Sequence, residues 1–197
     1  GERTDSGDSE GNVIKVQERI TVNYENLRLA LNKFEGEIKQ LPPMYSALKH
    51  KGKPLYKIAR EGRTVERKLR TINIYKNTLV SYEDNIVEID VTCSKGTYIR
   101  SLADDLGQDL GCGAHVIELR RTQAGRFSAD GCKDLEKLES IKESNGLGAL
   151  DELLIPMDQA IAEMPQVFLE HDTAKRIKHG QFVSLDELPG SDLVRLY

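Results

Sequence analysis

Tyr98 and Arg100 stand two residues apart at the end of the stretch Cys93-Ser94-Lys95-Gly96-Thr97-Tyr98-Ile99-Arg100, a phenol and a guanidinium delivered together. A guanidinium cannot lose its charge by deprotonation, and it favours the ionised form of a carboxylate beside it. Such a pair suits a closed pocket in which a carboxylate must stay charged. Spacing alone also fits an amphipathic packing residue beside a surface charge, the commoner arrangement.

The elements on either side place the pair at a strand-to-helix junction. Before it, Val87, Ile89, Val91 and Cys93 alternate with Glu88, Asp90 and Thr92, the pattern of a half-buried strand over 86–93. After it, Ile99, Leu102, Ala103, Leu106 and Leu110 recur at helical spacing, and Gly111 stands where the helix must stop. Gly96 permits a positive φ at the junction, and Thr97 is positioned to cap the helix.

The wording of this segment, with Leu102 and Asp105-Leu106-Gly107 after it, resembles the active-site segment of the TruB family of tRNA pseudouridine synthases. Three further blocks carry the resemblance in order: Gln40-Leu41-Pro42-Pro43-Met44-Tyr45-Ser46-Ala47-Leu48-Lys49, Gly111-Cys112-Gly113-Ala114-His115, and Leu119-Arg120-Arg121-Thr122 running to Gly125-Arg126-Phe127. It is closer to the stand-alone bacterial form than to the guide-RNA-dependent, dyskerin-like relatives. The resemblance implies an isomerase that converts a uridine in the T-arm of tRNA, at position 55, to pseudouridine without a cofactor. It places Arg100 beside a catalytic aspartate, Tyr98 at the wall of the uracil pocket, Leu119 beneath the base and Asp8 as a second carboxylate of this network. Read by its own surroundings, Asp8 is a loop residue satisfying its turn. Tyr45 and Lys95 are assigned to the substrate pocket, although a solvated lysine is the plainer reading of Lys95.

The family's aspartate-bearing Gly-Thr-Leu-Asp-Pro motif does not occur in this sequence. Residues 3–11 resemble an internal family loop and Gly1 stands where an initiating Met would, so the chain is expected to be a fragment whose N-terminal part supplies the nucleophile, possessing RNA binding alone if complete as given. Residues 1–164 are expected to belong to the catalytic domain, and 165–197 to begin a PUA-like RNA-binding domain.

Composition narrows the remaining possibilities. Of 197 residues 39% are hydrophobic and 30% charged, and no apolar run approaches the length of a membrane span, so a cytoplasmic monomer is expected. Cys93, Cys112 and Cys132 are odd in number and lack paired ligand spacing, and His50, His115, His171 and His179 are scattered, which argues against a disulfide framework and against a metal. The net charge of −4 is unusual for a nucleic-acid binder and would suit a protein-interaction domain. Its distribution answers the objection. Between residues 49 and 70 nine basic residues, among them Lys49, Lys51, Lys53, Arg60, Arg63 and Arg67, face only Glu61 and Glu66. Such a run is either a solvated face or a track for phosphates, and Tyr45 and Tyr56 beside it offer aromatic faces to unstacked bases.

The rest reads as scaffold. Asn23 is positioned to cap a helix carrying Leu27, Ala30, Leu31 and Phe34 and ending at Gly36, and Pro54 to start a short helix closed by Gly62. Strands are expected over 67–80, 86–93 and 114–122, and an Asp134-capped helix follows. Together these predict an α+β fold with a mixed, largely antiparallel sheet flanked by helices.

Overall fold

The computed structural model describes residues 1–185, 189–191 and 193–197, and it divides into two units, 1–119 and 120–197. In the first unit the chain opens with an antiparallel pair, β1 (Glu2–Thr4) and β2 (Val13–Val16). Helix α1 (Tyr24–Asn32) begins where Asn23 caps it, the Asn23 Oδ1 accepting from the Asn26 N–H at 2.8 Å. Leu27, Ala30 and Leu31 are its buried stripe. Gly36 does not end this helix. It opens strand β3 (Gly36–Gln40), which sequence reading missed because Ile38 is its one apolar member among charged neighbours, a composition typical of an edge strand.

Beyond the Pro42-Pro43 turn, the short strands β4 (Lys49–His50) and β5 (Lys53–Pro54) form a hairpin whose two loop residues, Lys51 and Gly52, both have positive φ. Helix α2 (Leu55–Arg60) follows with Leu55 and Ile58 buried. Strands β6 (Arg70–Glu83) and β7 (Ile86–Cys93) form the long hairpin expected, three residues later at each end of β6, around Asp84 and Asn85 at φ 49° and 64°. Asp and Asn tolerate that left-handed region better than most residues. The sheet order is β3-β6-β7, antiparallel throughout.

Helix α3 (Ile99–Asp109) and α1 pack on one face of this sheet. Leu102 lies on Ile72 and Ile74, and Leu106 on Leu27, Ala30 and Leu31. Fully burying each such side chain stabilises by about 1.5–3 kcal/mol. The register of β7 is the one its alternation predicts, with Val87, Ile89, Val91 and Cys93 turned to the core. The third strand expected over 114–122 does not form. Val116 makes a single parallel bridge to Asp8, and Ile117 and Leu119 are exposed, because residues 116–119 border a cleft instead of joining the ladder.

The second unit begins with a hairpin of β8 (Gln123–Ala124) and β9 (Phe127–Ser128). Helix α4 (Leu135–Asn145) is capped by Asp134, whose Oδ1 accepts from the Lys137 N–H at 2.7 Å. It ends at Gly146, with φ 78°, before α5 (Leu147–Asp151). Strand β10 (Gln166–Val167) pairs in parallel with β11 (Arg195–Leu196), and α6 (His171–Lys178) lies between them in sequence. Buried Arg195 donates to the carbonyls of Met164 at 2.9 Å and Ala162 at 3.1 Å and to Asp158 at 3.2 Å. Residues 186–188 and 192, part of the expected PUA-like tail, lie outside the described residues.

The α+β expectation therefore stands, with one parallel pair among the described residues in an otherwise antiparallel set of sheets.

Candidate active site

The junction that carries Tyr98 and Arg100 is fixed from three sides. Strand β7 runs out at Ser94, whose N–H donates to the Asn73 carbonyl at 2.8 Å and whose Oγ accepts from the Asn73 N–H at 2.9 Å. Gly96, at φ 85°, turns the chain toward α3. Thr97 does not cap the helix. Its hydroxyl turns back to the Ser94 carbonyl at 2.9 Å, and the residue flanking α3 is Tyr98, which has no capping side-chain bond of its own. A side chain from β3 takes that place. Gln40, 2% exposed, accepts from the Tyr98 N–H at 2.8 Å and donates to the Tyr98 carbonyl at 3.1 Å.

In the first turn of α3, the Arg100 guanidinium donates to Asp8 Oδ2 at 2.8 Å, to the Tyr45 carbonyl at 2.7 Å and to the Ser6 carbonyl at 3.3 Å. The loop bearing Asp8 is tied on its other side to Val116, through Ser9 N–H to Val116 O at 2.9 Å and Val116 N–H to Gly7 O at 3.0 Å. Gly7 has φ 77°, and a Cβ there would lie 3.3 Å from the Arg100 Cβ, so the loop approaches α3 as closely as glycine allows.

Burial pushes the Asp8 carboxyl up, but the Ser6 hydroxyl, the Arg100 guanidinium and the Glu10 N–H outweigh it and hold it below the ordinary carboxylate value. Asp105, farther along α3, behaves oppositely. Burial and then the charge of Asp104 raise it, against a smaller lowering by Arg3. A lowered carboxyl contributes stability above its unfolded pKa and loses it as pH falls through the folded value; a raised one does the reverse. We expect Asp8→Asn to lower the melting temperature at pH 7 by about 2–4 °C and to have no effect below the carboxylate range. Asp105→Asn is expected to raise it at pH 7. Thermal melts across an acid-to-neutral pH series check both signs.

Asp8, Glu10, Arg100, Val116, Ile117 and Leu119 border an open cleft of about 290 Å³, together with Ser9 and Glu118. The sequence-predicted residues are thus partly united. Asp8, Arg100 and Leu119 meet at this cleft, and Tyr45 does not border it but holds Arg100 through its backbone carbonyl. Tyr98 and Lys95 stay at the strand-to-helix junction and do not border it; Lys95 is exposed.

The basic segment is divided by its own contacts. Lys53 and Arg63 both bind Glu61, whose carboxyl is lowered to about 2 by those two hydrogen bonds. The Arg60 guanidinium lies 5.5 Å from the centre of the Tyr56 ring, and Arg67 turns inward to the Pro42 carbonyl at 2.8 Å. Lys49, Lys51 and Lys57 are exposed and make no ion pair among the described residues.

Sequence reasoning missed Gln40 as a tether. The available signal was phase, since Gln40 follows Ile38 on the inward register of β3. It also missed Gly107, where a Cβ would overlap the backbone of Gly113 and Ala114. Among the described residues no three His, Cys, Asp or Glu side chains are grouped as metal ligands, and no helix is long and apolar enough to cross a membrane.

Comparison with known proteins identifies the family. Residues 1–99 match the model of the TruB family pseudouridylate synthase N-terminal domain, and residues 100–162 that of the tRNA pseudouridylate synthase B C-terminal domain. A protein of Sodalis glossinidius named tRNA pseudouridine synthase B is 46% identical over 199 residues, covering 100% of this chain and 64% of the relative. The protein of the same name from Mannheimia succiniciproducens is 45% identical over 188 residues, covering 95% of the chain and 61% of the relative. The chain thus spans about three fifths of the length of these curated relatives. Among solved structures, a Cbf5-Nop10-Gar1 complex aligns with TM-score 0.64 and 30% identity over 81% of this chain and 45% of its own. An H/ACA RNP bound to a substrate RNA containing 2'-deoxyuridine aligns with TM-score 0.61 and 26% identity over 82% and 44%. Family models that together span residues 1–162, and near-half identity along the whole chain, lead to one conclusion: the chain belongs to the TruB family of pseudouridylate synthases.

Proposed function

We propose that the protein carrying this chain isomerises a uridine in the T-arm of tRNA, position 55, to pseudouridine, and that the Arg100 cleft is part of the site. The observation that carries this reading is the guanidinium itself, held on a carboxylate and two carbonyls at the edge of a cleft. The reaction breaks the bond between the ribose and the base nitrogen, turns the base, and joins the sugar to carbon 5, from which a proton leaves. It needs a charged carboxylate at the sugar and no redox or group-transfer cofactor. In this reading Arg100 keeps that carboxylate ionised, Leu119 supports the base and Asp8 orients Arg100. Tyr98 and Tyr45, which do not border the described cleft, wall the uracil pocket beyond it, with Lys95 at its approach. The names of the curated relatives support tRNA as substrate, and the RNA-bound structural neighbour supports an RNA partner. A cytoplasmic monomer whose residues 165–197 begin a PUA-like domain completes the proposal; the second family match ends at residue 162.

Reaching a uridine inside a folded arm requires unstacking it, at a cost of a few kcal/mol that phosphate and base contacts must offset. Lys49, Lys51 and Lys57, exposed and without an ion pair among the described residues, are charges available for that purpose. Replacing all three by glutamine is expected to weaken T-arm binding and to reduce the slope of log affinity against log salt by about 2–3. Neutralising Arg67 leaves the slope unchanged, since its guanidinium faces Pro42.

The direct test incubates the complete protein with a T-arm stem-loop whose uridines carry tritium at carbon 5. Substrate and product have equal mass, so release of tritium to water reports the new carbon–carbon bond. Release at one position supports the proposal. Tight binding without release would leave an RNA-binding module in its place.

A further inference from the structure

We infer that Gln40 is a positioning residue: its buried carboxamide fixes where α3 starts and how it is rotated, and so sets the place of Arg100 at the edge of the cleft. The inference rests on the reading of the Arg100 cleft as an isomerisation site.

Gln40 is the last residue of β3, paired with Arg70 in the ladder, and its side chain is 2% exposed. Both polar atoms of its amide are directed at the backbone of a single residue, Oε1 to the Tyr98 N–H at 2.8 Å and Nε2 to the Tyr98 carbonyl at 3.1 Å. This arrangement imitates one step of a β-ladder with a side chain in place of a strand. It falls where the backbone has least support of its own. Tyr98 precedes the first helical residue, and the Thr97 hydroxyl is turned away to Ser94. One further tether comes from the same segment, the Ser101 hydroxyl donating to the Leu41 carbonyl at 3.1 Å. Residues 40 and 41 therefore hold residues 98 and 101, and Arg100 lies between.

The chemistry of the amide is what makes the residue specific. Tyr98 O also accepts from the Leu102 N–H at 3.1 Å, so loss of Gln40 orphans only the Tyr98 N–H, and the helix itself survives. What is lost is the reference point of its first turn. One residue of helical slippage rotates a side chain by roughly 100°, and displacements of about 1 Å at a reacting centre can cost about a hundredfold in rate. Methionine approximates the shape of glutamine with no donor and only a weak thioether acceptor. An ionised glutamate accepts from the N–H but opposes the carbonyl; a protonated one presents a donor and an acceptor, as glutamine does.

The experiment uses the complete protein, the tritiated T-arm RNA and the variants Gln40→Met and Gln40→Glu, with thermal melts to establish the folded fraction. Gln40→Met is expected to lower kcat by about tenfold or more with KM within about twofold. Gln40→Glu is expected to show a similar deficit at about pH 8 and to recover toward wild type as pH falls to about 5.5, because burial raises its carboxyl. The ratio to wild type at each pH is the quantity read. Wild-type kcat in both folded variants would overturn the inference, as would losses proportional to the unfolded fraction and flat with pH. If the wild type itself releases no tritium, the isomerisation reading fails, and amide hydrogen exchange decides the positioning separately. Faster exchange at residues 98–102 in Gln40→Met supports it, and unchanged exchange overturns it.

Discussion

Replacing Arg100 by methionine in the complete protein is expected to lower turnover by about a hundredfold or more while leaving T-arm affinity within about threefold. Methionine keeps part of the buried stem but supplies no donor to Asp8, to the Tyr45 carbonyl or to the Ser6 carbonyl. Under the proposed function the rate falls because the reacting carboxylate loses the fixed charge that favours its ionised form. Affinity is nearly unchanged because the proposal assigns it to exposed lysines of β4, its turn and α2, which this substitution does not touch. Lysine at position 100 is a useful intermediate: its ammonium restores charge without the planar fork that reaches three partners. Single-turnover tritium release and a direct binding isotherm check the separation. Equal losses in the two would remove Arg100 from the reacting centre and leave it a structural ion pair.

The largest effect on stability is expected from Gly107→Ala. Alanine is a better helix former than glycine by about 1 kcal/mol, and by propensity alone the substitution should stabilise α3. Packing reverses the sign. A Cβ at residue 107 would overlap the backbone of Gly113 and Ala114, which has no flexible end to move aside. The Cys112 and Gly113 N–H groups donate to the Gly107 carbonyl at 3.1 Å and 2.8 Å, so the returning chain cannot retreat without breaking both bonds. Overpacking of this kind costs about 3 kcal/mol, which for a chain of this size lowers the melting temperature by about 6–12 °C. The same shift would move Val116 and the bridge that anchors the Asp8 loop. Gly148→Ala is the control, since that glycine lies in α5 with open space around it and should show only the propensity gain. A melt of Gly107→Ala equal to that of Gly148→Ala would refute the close contact.

Local patterns wrote most of the scaffold into the sequence. The alternation of 86–93, the stripe of α3 with Gly111 behind it, and the caps Asn23 and Asp134 all depend on residues within one turn or one strand of each other. What stayed hidden depends on partners far along the chain. β3 becomes a strand because β6 lies beside it, not because of its own composition. The segment 114–122 has the apolar spacing of a strand, but an extended segment with alternating faces needs a free ladder to join, and residues 116–119 border a cleft. Site residues divide in the same way. The place of Arg100 at a strand-to-helix junction was legible from its pattern, whereas the alternation of β3 turns Gln40 inward but does not name its partner, 58 positions away. In the basic segment, net charge was legible, but the commitment of Lys53 and Arg63 to Glu61 was visible only in space.

The contrast between the interiors of the two units has a calorimetric consequence. Among the described residues every fully buried apolar side chain lies in the first unit, while the second is pinned by the guanidinium of Arg195 on carbonyls and Asp158. Exposing apolar surface raises the heat capacity on unfolding and exposing polar surface lowers it. The first unit therefore accounts for most of the curvature of the stability curve, and cooling weakens its core in particular. The contacts around Arg195 follow a flatter temperature dependence, so the balance of rigidity between the two units shifts toward the second in the cold.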